Sequence, residues 1–322
     1  MSKIESQPIP ALSTPALDVG SSQPNPRLGL NRSDSFFEND EISNLLKRGL
    51  FYAGAGVPIH FQGTAGRGKT SLALEIARRL GRKVSVIAGN DWLGSDDLIG
   101  RQVGQSTTSV VDKYVQRVRR SETQQRYDWQ SSVLADAMQN GHTLVYDEFT
   151  RSSAKANGIL LSVLEEGVLL STNPLAETDC IYAHPNFRVI LTSNPSDYAG
   201  LNATPDALMD RMVTFRLTRY STQTESGIVA ARTGLDPNVS RKIVQLVHDL
   251  FGGPSDEGEC SMRAAIMIAQ IAAMRLRATS LSDALLSQIA ADVLNGRGAK
   301  LSTGKIATYL SQQNRTQQEV AR

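Results

Sequence analysis

The sequence predicts an α/β fold, in which a parallel five-stranded sheet covered by helices is followed by a small all-α domain. Two observations carry the prediction. Between residues 36 and 218, short apolar runs rich in β-branched residues alternate with helical patterns, as expected of a layered α/β domain. After Arg219 the strand signals vanish and only helical segments follow. A length of 322 residues accommodates two domains at roughly 150 residues each.

Taken in order, residues 1–35 are poor in large apolar side chains and hold five of the 12 prolines. Such a segment buries too little surface to offset its ordering entropy and reads as a flexible tail. Strands are expected at 57–62, 83–88, 143–147, 188–193 and 213–217, and their near-continuous hydrophobicity suits a sheet covered on both faces. Leu72, Ala73, Ile76, Ala77 and Leu80 share one helical face that Gly81 ends. Ile159, Leu160, Val163 and Leu164 repeat the pattern ahead of Gly167. Residues 167–187 read as a hairpin preceding the fourth strand. The helical domain, 219–295, contains helices at 221–233, 238–251, 261–277 and 280–295. The polar end, 296–322, reads as a second tail in which Ile306, Tyr309 and Leu310 form at most one docked turn.

Composition narrows the class. Net charge is +2, so no strong field draws the chain to nucleic acid or anionic lipid, and no nucleic-acid partner is expected. Cys180 and Cys260 lie far apart and form no zinc spacing with the four histidines, which fits free thiols in a reducing compartment. No apolar run approaches the 18 or so residues of a membrane span, and the N-terminus lacks a secretory apolar stretch. A cytoplasmic protein without a membrane span is the expectation.

Two motifs carry chemistry. Gly63-Thr64-Ala65-Gly66-Arg67-Gly68-Lys69-Thr70 matches G-x-x-x-x-G-K-[ST] between an expected strand and an expected helix. Glycines let such a loop wrap phosphate with backbone N–H groups, and the helix start, with Ser71, adds a favourable dipole. Lys69 then reaches the β and γ phosphates of ATP and the Thr70 hydroxyl ligates Mg²⁺. Arg67 occupies a variable position and reads as an exposed loop residue, with contact to phosphate or a neighbouring subunit as the alternative. The second motif is the apolar run ending in Asp147 and Glu148. At the carboxyl edge of the sheet, Asp147 is placed to hold Mg²⁺ and Glu148 to polarise an attacking water as general base.

These motifs, followed by Val189-Ile-Leu-Thr-Ser-Asn194 and Ala207-Leu-Met-Asp-Arg211, resemble those of AAA+ ATPases. The resemblance implies a P-loop AAA+ core with an α-helical lid. It also implies that Asn194 orients the lytic water, that Arg211 acts in trans on a neighbour's γ-phosphate, and that Arg263 senses that phosphate from the start of a lid helix. The lid helix is supported separately by a cap at Ser261 and an apolar stripe through Met262, Ala265, Ile266, Ala269, Ala272, Ala273 and Leu276. Each residue keeps a plainer alternative: a surface ion pair of Arg211 with Asp210 or Asp206, a turn role for Asn194 before Pro195, and a solvated first-turn position for Arg263.

Asp97-Leu-Ile-Gly100, the insert up to Trp129, and Asp147-Glu-Phe-Thr-Arg151 resemble the MoxR-like group of AAA+ proteins. The stretch 54–217 also resembles a gas vesicle branch, through 145–151, 160–166, 184–188, 192–195 and 198–200. Thr150 and Arg67 depart from that branch, where Asn and Thr or Ser are commoner, but neither departure removes a catalytic group. The resemblance implies Mg²⁺-dependent ATP hydrolysis in a hexameric ring, acting on gas vesicle shell and accessory proteins in the cytoplasm or at the vesicle. Three rivals stay open: a nucleotide-switched structural component of the vesicle, an activator that inserts a metal or cofactor into an enzyme, and, least favoured by the net charge of +2, a nucleic-acid motor. The basic cluster from Lys113 to Arg126 reads as a solvated face of the insert, or as a surface gripping a protein client.

Overall fold

The computed structural model describes residues 36–111, 121–171, 179–195, 206–251, 262–276, 282–296 and 299–320. The core begins with α1 (Asp40–Gly54), capped by the Asn39 side chain, which accepts from the Ile42 N–H. β1 (Ile59–Gln62), α2 (Lys69–Arg79), β2 (Val84–Ala88) and α3 (Ser95–Ile99) follow. β3 (Gly100–Val111) and β4 (Ser121–Ser131) then form an antiparallel hairpin where the sequence indicated an insert. Next come α4 (Val133–Asn140), β5 (Thr143–Asp147), a 3₁₀ turn at Phe149–Arg151 and α5 (Ala154–Glu165). The core ends with β6 (Val168–Leu170), β7 (Cys180–Tyr182), β8 (Arg188–Ser193), α6 (Asp206–Met209) and β9 (Val213–Arg216). β6 and β7 pair antiparallel, as the hairpin reading of this stretch anticipated.

Strands β2, β5, β8, β1 and β9 make one five-stranded sheet in that order, with every pairing parallel. The expected α/β class is therefore the observed one. Alternation along β5 shows how both faces are covered. Leu144 and Tyr146 pack with Leu134, Met138 and Leu160 of α4 and α5, whereas Val145 packs with Leu72 and Ile76 of α2. Parallel pairing brings the carboxyl ends of β1, β2, β5 and β8 to one edge, where ligands of open α/β sheets bind.

The remaining helices are α7 (Thr222–Thr233), α8 (Pro237–Phe251), α9 (Met262–Leu276), α10 (Asp283–Asn295) and α11 (Thr303–Val320). The first four match the expected helices closely. They share one apolar core through Val229, Ile243, Val247, Ile268, Ala272, Ile289 and Leu294.

The C-terminal segment needs a correction. In place of a polar tail with one docked turn, 303–320 is helical, and Ile306 and Leu310 are fully buried in that same core. Their i, i+4 spacing presents two anchors on one face, and the polar remainder of the helix masks this in composition. Asn295 fixes the approach by accepting from the Leu301 N–H at 2.6 Å and donating to the Leu301 carbonyl at 2.8 Å. The tail expected at 1–35, the Ser261 cap and the Asp206 side chain lie outside the described residues. So does the basic cluster at 113–126, apart from the backbone of 121–126.

Candidate active site

From β1 the chain turns through 63–68 into α2. Gly68 takes φ +76° at the helix N-cap, a left-handed conformation that a side chain would strain. The first N–H groups of α2 have no intrahelical partner and open onto a cavity at the sheet edge. The core lines this cavity with Gly66, Gly68, Lys69, Thr70, Ser71 and Glu148. The helical group closes it with Arg232, Met262, Arg263 and Ile266.

Lys69 is almost fully buried, and its ammonium donates to the carbonyls of Gly63 at 2.7 Å and Thr64 at 2.9 Å. The amine thus lies along the loop that a phosphate chain would occupy. Thr70 Oγ1 donates to Asp147 Oδ1 at 2.7 Å, which joins the helix start to the end of β5. Thr192 on β8, which lies in a segment that carries the resemblance but was given no role of its own, completes the arrangement. Its hydroxyl donates to Asp147 Oδ1 at 2.5 Å and accepts from the Glu148 N–H at 2.9 Å. One buried hydroxyl therefore sets both acidic residues.

Glu148 has φ +51°, a left-handed backbone that a non-glycine residue adopts only when its surroundings enforce it. Thr192 supplies part of that enforcement and Gly89 another part. The Gly89 N–H donates to the Asp147 carbonyl at 2.7 Å, and a Cβ at position 89 would stand 2.2 Å from the Glu148 carbonyl oxygen. The Glu148 carboxylate pairs with Arg151 at 2.8 Å. Both side chains are substantially exposed, so the pair is worth only about 0–1 kcal/mol and yields readily to a ligand.

The donor set fits Mg²⁺. One carboxylate and one hydroxyl converge at hydrogen-bond distance, and hard oxygen ligands of this kind hold the ion when phosphate oxygens and waters complete the shell. Among the described residues, no group of three or more His, Cys, Asp or Glu side chains could hold a metal unaided.

One expected residue sits differently, and two others lie away from the cavity lining. Arg67 is not an exposed loop residue: it is 5% exposed, its Nε donates to Thr64 Oγ1 at 3.2 Å, and its guanidinium lies 3.9 Å from buried Glu225 of α7. The buried carboxylate draws the cation inward, and Glu225 also meets His248 of α8 at 2.5 Å. Arg211 does not line the cavity. Its guanidinium donates to Glu165 of α5 at 2.5 and 2.9 Å and to the Ala207 carbonyl at 2.6 Å, so its ion pair is with Glu165 and not with Asp210. Asn194 follows the last residue of β8, half-buried, and also lies outside the cavity lining. Arg263 opens α9 and does line the cavity. The sequence reading missed Arg232 of α7 as well, because an exposed arginine in the last turn of an amphipathic helix carries no local signal.

Residues 58–212 match the AAA domain (dynein-related subfamily). The gas vesicle ATPase GvpN of Ancylobacter aquaticus is 39% identical over 274 residues, 85% of this chain and 75% of that protein. GvpN of Haloferax mediterranei is 36% identical over 83% of this chain and 76% of its own length. Protein NorQ of Paracoccus denitrificans is 25% identical over 69% of this chain and 74% of its own. Identity of 36–39% sustained over about three quarters of each gas vesicle relative means that the chain belongs to the GvpN family of gas vesicle ATPases.

Proposed function

We propose that the chain hydrolyses ATP with Mg²⁺ in this cavity and uses the turnover to remodel or deliver shell proteins during gas vesicle formation. The observation that supports the reading is the meeting of Lys69, the Thr70–Asp147 pair and Glu148 around one cavity at the sheet edge. Lys69 exchanges two neutral carbonyl partners for phosphate oxygens, which are stronger charge-assisted acceptors. Thr70 and Asp147 hold Mg²⁺, which when bound neutralises charge that builds on the phosphates. Glu148, released from Arg151, orients a water and draws its proton as the water attacks the terminal phosphate.

In the same reading Arg263 contacts that phosphate from the helical group and Asn194 orients the water. Arg211 serves the site of a neighbouring copy in a hexameric ring, which accords with its place outside its own cavity. The setting we propose is the cytoplasm and the vesicle surface. Among the described residues no helix is long and apolar enough to cross a membrane.

Affinity capture with Glu148→Gln tests the client. That variant should bind ATP without turning it over and so retain vesicle shell proteins, while the wild type with ADP releases them. If capture recovers no shell protein, or recovers it equally with and without ATP, the remodelling reading is wrong.

A further inference from the structure

Arg232 has no part in the mechanism above, yet it lines the same cavity. It lies in the last turn of α7, and its Nη2 donates to Ser71 Oγ at 2.9 Å. With Lys69 and Arg263 it makes three cations around the cavity against one carboxylate, Glu148. Such an excess suits a polyanion.

Thr70 and Ser71 are successive residues in the first turn of α2, and they face opposite partners. Thr70 turns to Asp147, on the side of Glu148, and Ser71 turns to Arg232. The side of the cavity next to Glu148 is where the attacked phosphate must lie. The Ser71 side therefore takes the part of the phosphate chain that survives hydrolysis. A neutral hydroxyl is a modest partner for a guanidinium, whereas a phosphate presents charged oxygens that accept two N–H groups at once.

Resting on the nucleotide-site reading, we propose that Arg232 binds the non-transferred phosphates of the nucleotide, releasing Ser71 as it does so. It thereby ties α7 to ADP as well as to ATP. The division of labour with Arg263 follows: one arginine of the helical group contacts the phosphate that is lost and the other the phosphates that remain. The helical group stays attached to the product after turnover.

The test is fluorescence titration of the full chain with N-methylanthraniloyl-ATP and N-methylanthraniloyl-ADP, using wild type, Arg232→Ala and Arg232→Lys. Arg232→Ala should raise Kd about tenfold or more for both nucleotides, since each factor of ten corresponds to about 1.4 kcal/mol. Arg232→Lys, which keeps the charge but loses the fork, should fall between the two. The KM for ATP should rise in parallel with Kd while kcat stays within about threefold. The melting temperature without nucleotide should move by no more than about 2 °C, because the Ser71 bond is exposed. An Arg232→Ala variant that binds both nucleotides within about twofold of wild type overturns the proposal, as does a loss seen with ATP alone or in kcat alone. If the wild type binds neither nucleotide, the nucleotide-site reading itself fails, a result distinct from failure at Arg232.

Discussion

His60 shows what a single residue in this sheet contributes. It is fully buried on β1, with Nδ1 3.1 Å from Thr214 Oγ1 and Nε2 2.8 Å from Ser193 Oγ. Burial pushes its pKa down from 6.5 to about 4, so the folded chain holds the ring neutral while the unfolded chain protonates it. Between those values the unfolded state binds more protons, so stability is full above 6.5 and is lost as pH falls towards 4. Unfolding in denaturant should show a loss of about 2 kcal/mol between about pH 7 and pH 5, and His60→Gln should remove that slope. Equal slopes in the two proteins would sink the idea. Glu38 and Glu75, held below the usual carboxylate value of 4.5 by hydrogen bonds from Arg79 and Arg78, act at lower pH and leave this window clear. None of this was legible in the sequence, because the partners of His60 are 133 and 154 residues away. Asp147 and Glu148 were legible, since an acidic pair closing an apolar run is a local pattern. Thr192, which sets them both, lies 45 residues beyond Asp147 and looked like one more strand residue.

At the scale of elements, regularity decided what could be read. The five core strands and the four helices from α7 to α10 announced themselves through period and composition, and the structure shifts their ends by only a few residues. α11 escaped because two buried residues in a polar stretch are a weak periodic signal. Its docking has a measurable consequence. Leu310 is fully buried against the helical core, so Leu310→Ala should lower the unfolding free energy by about 2–5 kcal/mol. A cost below about 0.5 kcal/mol, typical of a surface position, would mean that the segment does not pack there. Arg67 illustrates the converse failure. A loop position that looked exposed is buried because α7 brings Glu225 beneath it, a contact that no spacing within the loop announces.

At the scale of the whole molecule, the described residues from Phe36 onward belong to one compact unit, in which the helical group contacts both the phosphate loop and the start of α2. Glu225 meets Arg67 and Arg232 meets Ser71, which places two residues of α7 against the site proposed to hold the phosphates. Arg211 points to a further scale. Held by Glu165 away from its own cavity, it is available to complete a site on the next copy only if copies assemble head to tail. An arginine acting in that way is worth about 10³–10⁵ in rate, far more than a surface ion pair. The most direct test of the central claim, that ATP is hydrolysed at sites shared between copies, is phosphate release from an equimolar mixture of Glu148→Gln and Arg211→Ala. Each variant alone should be nearly inert. Mixed, about a quarter of the sites pair an intact Glu148 with a neighbour's intact Arg211, and the rate should recover to about that fraction of wild type. A mixture as inert as its components, beside an active wild type, would contradict the shared site.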